Sequence, residues 1–263
     1  MVAQKSILTI TSIMAALIFG GGAYLYMNLG SITKVITERL ASDALGVGVT
    51  ISTLDIDVQN KIIDVGDIRI KNPDGYAKPY VMSIDSIRVQ AQTLSKDLLN
   101  FQDITVTGTD VYVEVKEGST NLHTLRDQVA NIAAQRKAEK PVESKEGETP
   151  VKVIIQNFLL DRAALYPSVT LIQEQDLQPV TIPPIRLTGI GERENGVLVQ
   201  DAVAQIARHL MKEFNNAAAQ SGFLAGMSAD TLRDMGLSQV DAVKTRVLDE
   251  IDNVGGRLKG MFE

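Results

Sequence analysis

The sequence predicts an α+β protein. A transmembrane helix comes first, then one curved, mostly antiparallel β-sheet with an amphipathic helix on its N-terminal flank and a helical pair on its C-terminal flank. Three observations predict this. No charged residue falls between Lys5 and Lys34. From Val47 to Leu125 apolar and polar residues alternate with a period of two, the pattern of strands with one buried face. Beyond residue 199 the apolar spacing becomes helical, with Val199, Val203, Ile206, Leu210, Phe214 and Ala217 on one stripe.

The apolar run Ile7 to Leu29 exceeds the roughly 20 residues that cross a bilayer. Tyr24 and Tyr26 lie near its outer end, where aromatic belts sit, and Lys5 precedes it, which places the N-terminus inside. The alternative is a cleaved signal peptide, with Gly21 and Ala23 as the small residues before the cut. Ser31 to Leu45 reads as a helix, with Ser31 as N-cap and Ile32, Val35, Ile36, Leu40 and Leu45 at helical spacing. It would lie at a membrane interface or, the preferred reading, cover one end of the sheet.

The alternation that follows slips by one residue at intervals. Val47, Val49 and Ile51 share one parity, while Leu54, Ile56 and Val58 take the other. The slip recurs between Val65 and Ile68, between Ile84 and Ile87, and between Val106 and Val111, each time at a Gly, Ser, Thr or Asp. Such a slip turns side chains to the opposite face unless a bulge or bend absorbs it, and bulges coil a sheet. Asn60-Lys61 is a turn, and Asn72-Pro73-Asp74-Gly75-Tyr76 is a longer one with Pro at a favoured φ. Leu94 to Leu99 reads as a short helical insert, and Asn121-Leu122 starts a helix through Leu125, Val129 and Ile132.

The segment 136–150 is dense in Lys and Glu and holds two prolines, so it reads as a flexible charged linker. Strands resume over 151–198 and extend the first sheet, with Pro179, Pro183 and Pro184 suited to an edge. The organisation is therefore 1–33 anchor and flank, 34–135 helix and first meander, 136–150 linker, 151–198 continuing strands, and 199–263 C-terminal helices, the second helix running from Leu237 to Leu258.

Composition excludes several function classes. A net charge of −6 and an aromatic share of 5% without Trp argue against nucleic acid as partner. The absence of Cys removes thiolate chemistry and Cys-ligated zinc. His123 and His209 read as structural or exposed, so no metal and no cofactor is expected. Asp55, Asp57, Asp64, Asp67, Asp85 and Asp110 fall on the polar face or at the slips, where Asp is a normal turn and bulge residue. Gly189-Ile190-Gly191 lacks the Lys-Ser/Thr of a phosphate loop. With no nucleophile elbow or triad, no catalytic residue is assigned.

An apolar N-terminal run, an amphipathic helix and the strand LGVGVTISTLDIDV are followed by IRIKNPDGY, IDSIRVQAQTLS, ITVTGTDVYVEV and EGSTNLHTL. This order resembles the AsmA-like family of bacterial envelope proteins over about the first half of the chain. The motifs that carry the resemblance are Asn72-Pro73-Asp74-Gly75-Tyr76, Gly108-Thr109-Asp110-Val111, Glu114 and Asn121-Leu122. The resemblance implies a curved, chorein-like half-groove of the kind bridge-like lipid-transfer proteins use, with acyl chains on an apolar concave face. It also implies a single-pass protein of the bacterial inner membrane with its bulk in the periplasm. The expectation is a non-enzymatic protein that binds phospholipid or another lipid and supports envelope lipid transport or outer-membrane maintenance. The residues expected to line the groove are Val49, Ile51, Ile63, Val65, Ile84, Val106 and Val113. The alternative is a scaffold or assembly subunit that forms homo- or hetero-oligomers through its C-terminal helices. An open apolar face would favour the first reading and a filled one the second.

Overall fold

The structure is a computed structural model. It describes residues 34–95, 97–116, 119–139, 152–170, 174–176, 178–198 and a set of helical positions between 201 and 216. Helix α1 spans Lys34–Leu45, and strands β1 Val49–Asp57, β2 Ile62–Lys71, β3 Tyr80–Leu94 and β4 Leu98–Lys116 follow as an antiparallel meander. Strand β5, Ser119–Thr120, turns back on β4 and leads into helix α2, Asn121–Glu139. Strand β6, Lys152–Thr170, then pairs with β4 along its whole length. Four short strands, β7 Glu174–Asp176, β8 Val180–Ile182, β9 Ile185–Ile190 and β10 Val197–Leu198, pair with the far side of β6. All ten strands among the described residues form one sheet.

The fold class read from the sequence is corrected in two respects. The sheet is mixed, because β4 and β6 run parallel from Leu98–Lys152 to Lys116–Thr170. A parallel neighbour needs a long crossover, and α2 with the segment after it supplies one. Periodicity reports which residues face the core and carries no information on strand direction. Second, among the described residues no helix is long and apolar enough to cross a membrane. The structure therefore does not support the single-pass inner-membrane placement, and the run Ile7 to Leu29 lies outside the described residues. The second C-terminal helix, expected from Leu237, lies outside them too. No helical insert stands at Leu94 to Leu99: Leu94 ends β3 and pairs with Leu99 of β4, and the Ser95 N–H donates to the Leu98 carbonyl at 2.9 Å.

The slips have a common cause. Ser52, Asp67, Asp85, Gly108 and Arg162 each drop out of the residue-to-residue pairing while their neighbours on both sides stay paired. They stand in line, one per strand, so every strand changes parity at the same height. The backbone there takes positive φ at Asp67 (49°), Gly108 (66°) and Arg162 (52°). Asp and Gly tolerate that region, whereas Arg162 occupies it at a steric cost. Because the irregularity crosses all five strands together, the apolar face continues from one side of the seam to the other.

The seam divides the sheet into two halves. In the upper half, two cross-strand rows run Val49–Ile70–Met82–Val111–Leu165–Val180 and Ile51–Ile68–Ile84–Thr109–Ala163–Ile182. All twelve of these residues are buried. In the lower half the rows run Leu54–Val65–Ile87–Val106–Leu160–Ile185 and Ile56–Ile63–Val89–Ile104–Phe158–Leu187. Leu45 of α1, Leu122 and Leu125 of α2, and Ala202, Ile206 and Leu210 of the C-terminal helical stretch belong to the same core as the sheet face.

Candidate functional site

The apolar face of the sheet is the candidate site, and its two halves differ at the β1 margin. Above the seam the rows are buried to the last strand. The cause is α1, which lies along the outer edge of β1. Ser42 Oγ accepts the Val49 N–H at 2.8 Å and Glu38 Oε1 accepts the Ile51 N–H at 2.7 Å. Glu38 and Ser42 are one helical turn apart, so a single face of α1 meets two alternate donors of the strand. Below the seam α1 is absent. The rows there are buried in the middle, with Val106 0% and Ile104 1% exposed, and open to half-buried at Leu54, Ile56, Ile63 and Val65. Val58, in the turn beyond, is 59% exposed.

The residues expected to line a groove share this face but not one environment. Val49, Ile51, Ile84 and Val113 are buried above the seam. Val106 is buried at the centre of the lower half, and Ile63 and Val65 are half-buried at its margin. The face is therefore filled by protein over most of its width. Leu54 and Ile56, which complete the margin, carry the same parity signal as Val58 and could have been read from the slip itself.

Of the motif residues named above, Asn72 to Tyr76, Glu114 and Asn121-Leu122 converge at the upper end of the sheet, whereas Gly108 lies on the seam and Thr109 to Val111 just above it. The Asn72–Tyr76 turn joins β2 to β3 and folds against the end of β4 and the start of α2. The Glu114 side chain, 1% exposed, accepts the Ala77 N–H at 2.7 Å, the Lys78 N–H at 2.9 Å and one Asn72 Nδ2–H. Asn121 donates to Asn72 Oδ1 at 2.9 Å and to the Tyr112 carbonyl at 2.7 Å, and its own Oδ1 accepts the Glu114 N–H at 3.0 Å. The Tyr76 and Thr124 hydroxyls lie 2.7 Å apart. The three donors satisfy a side chain that would otherwise be costly to bury. Pro73 is buried, and Gly75 supplies φ 93° for the reversal. The arrangement is a clamp, and Asn72, Pro73, Gly75 and Tyr76 do not line the apolar face.

The acidic residues lie on the polar side. Asp67 accepts from Ser52 at 2.7 Å, and that bond, with the Arg69 charge, holds its carboxyl below the usual range. Asp57 is lowered by the N–H and side chain of Asn60, the capping pattern of an ordinary turn. Asp110 is raised, first by burial and then by the Asp85 charge, and it hydrogen-bonds Tyr166, whose phenol is raised by the same burial. Tyr166 stacks on Tyr112 at 5.3 Å between ring centroids. Arg162 reaches Asp85 at 3.5 Å along the seam. Near α1, a shallow depression is lined by Gly46, His123, Asp127, Gln128 and Ile132, with His123 Nε2 3.1 Å from Asp127. Among the described residues no group of three or more His, Asp or Glu side chains is placed to hold a metal ion. His209 is exposed on the C-terminal helical stretch.

No known family model matches the chain, and no curated protein matches it.

Proposed function

We propose that this protein binds the acyl chains of lipids on the apolar face of its bent sheet and serves lipid transport or maintenance in the cell envelope, without catalysis. The observation that carries this is the pair of lower rows. Six apolar side chains in each cross the sheet without a polar interruption, and they open gradually at Leu54, Ile56, Ile63 and Val65. An acyl chain has no polar group to satisfy, so an uninterrupted strip with an accessible end is the surface it needs. The resemblance of the strand and turn order to AsmA-like proteins supports the same reading. The filled centre of the face favours a second reading, a scaffold whose sheet is an ordinary core.

Native mass spectrometry of the full chain, followed by lipid extraction, separates the two. The expected result is retained phospholipid that falls at least severalfold in Ile63→Glu and Leu54→Glu, with melting temperatures within a few degrees of the parent. These margin positions are chosen because they are half-buried, whereas a charge at Val106 would disrupt the core. A lipid-free chain that emerges with stoichiometric protein partners would establish the scaffold instead.

A further inference from the structure

We infer that the lower half of the β1 edge, Thr53 to Asp57, is a docking site for one extended strand of another protein, in which apolar residues alternate with Lys or Arg. Three features converge on it. The first is backbone polarity. Val49 and Ile51 face the apolar side and turn their N–H groups outward, to Ser42 and Glu38. Leu54 and Ile56 face that same side in the same strand, so their N–H groups point outward as well. Among the described residues no strand or side chain meets β1 there, and β1 ends the sheet. An unpaired edge of this kind is a template for strand addition.

The second feature is the half-open margin. A strand added beside β1 would place its apolar residues next to Leu54 and Ile56 and continue both lower rows by one position. The upper half needs no such neighbour, because α1 already covers it. The third is charge. Thr53, Asp55 and Asp57 are the exposed, opposite-facing residues of the segment. Cross-strand partners of Asp55 and Asp57 are favourable when basic and unfavourable when acidic. Two copies of this edge paired about a two-fold axis would set acid against acid, so a second copy is the wrong partner. The outer strand of a basic, amphipathic segment is the right one. The inference stands whether or not lipid occupies the face.

The test uses the full chain and a fluorescent peptide of about seven residues alternating Val and Lys. Its controls are a scrambled peptide of the same composition and a Val–Glu analogue. Anisotropy is expected to show the alternating basic peptide binding at least tenfold more tightly than the scrambled one. Asp55→Lys, an exposed position in none of the hydrogen bonds described above, should weaken it about fivefold, the upper end of a cross-strand ion pair, and improve binding of the Glu analogue. Hydrogen exchange of the Leu54 and Ile56 amides should slow on binding, while Val49 and Ile51 stay as they were. Equal binding of the scrambled peptide, or protection elsewhere in the chain, would overturn the inference. So would concentration-dependent protection of Leu54 and Ile56 without peptide, which would assign the edge to a second copy.

Discussion

Above the seam the apolar rows are buried out to the β1 margin, and below it they are buried in the middle and half-open at that margin. The same strands build both halves, with the same alternation and the same kinds of side chain. What differs is the company of the edge. Glu38 and Ser42 cover the outer N–H groups of Val49 and Ile51, and the Glu114 clamp fixes the loop at the upper end. At the lower end β1 and β2 are joined by the exposed turn Val58–Lys61, held by Asp57 and Asn60. The comparison teaches that burial of a sheet face is decided at its margins. At β1 the apolar rows are dry where α1 stands beyond the strand and half-open where it does not.

The most severe way to break the upper half is to remove its clamp. Glu114→Ala orphans three buried or part-buried donors, on Asn72, Ala77 and Lys78. Each orphaned donor costs about 1–3 kcal/mol, so a loss of roughly 4 kcal/mol is expected after water relieves part of it. Urea denaturation measures this, and a loss below about 1 kcal/mol would show that the clamp is incidental. The next effect compares the halves directly. Ile68→Ala empties a site that is 1% exposed and should cost about 3 kcal/mol. Ile63→Ala removes the same atoms from a half-buried site and should cost about 1 kcal/mol. Equal losses would mean that the lower margin is as well covered as the upper.

The seam itself is tested at Gly108. Its φ of 66° is a conformation L residues avoid, and a Cβ there would lie 2.8 Å from the Asp85 Cβ, with the Asp85 carboxylate nearer still. Gly108→Ala should cost about 2 kcal/mol. Trimming the neighbour with Asp85→Ala in the same chain should return part of that, because the carboxylate is then gone. A fully additive pair would separate the two residues.

Much of this was legible in the sequence, and the reason is local. Alternation is a property of single strands, so the parity that groups Val49 with Ile51 could be read directly, while the slips left open whether Ile84, Val106 and Val113 share their face. The slips were legible for the same reason, since each strand carries its own. Their alignment into one seam was not, because it depends on register, which pairs Ser52, Asp67, Asp85, Gly108 and Arg162 across a hundred residues of chain. Arg162 carries no turn signal at all. The parallel join of β4 and β6 was hidden because direction leaves no mark on apolar spacing. The edge cover was hidden because Glu38 and Ser42 look like ordinary polar residues of an exposed helix face. The residues at Asn72, Glu114 and Asn121 were conspicuous as motifs, but only the fold shows that they serve one another.

The smallest expected effect is electrostatic and lies just above the seam. The folded state holds the Asp110 carboxyl above its usual range through burial and the nearby Asp85 charge. Below the unfolded value of about 3.9 both states are protonated and the site is neutral to stability. As pH rises through that value towards the raised one, the unfolded state releases its proton first, so stability falls, and the deficit persists at neutral pH. Asp110→Asn removes the charge and keeps an oxygen to accept from the Tyr166 hydroxyl. Near pH 7 the variant should therefore match or exceed the parent by less than about 1 kcal/mol, since the group is only partly buried and solvent screens it. Near pH 3 the two should coincide. Denaturation curves that stay parallel across that range would place the pH dependence of the sheet elsewhere, and the Asp85–Arg162 pair, 3.5 Å apart on the seam, would be the next group to examine.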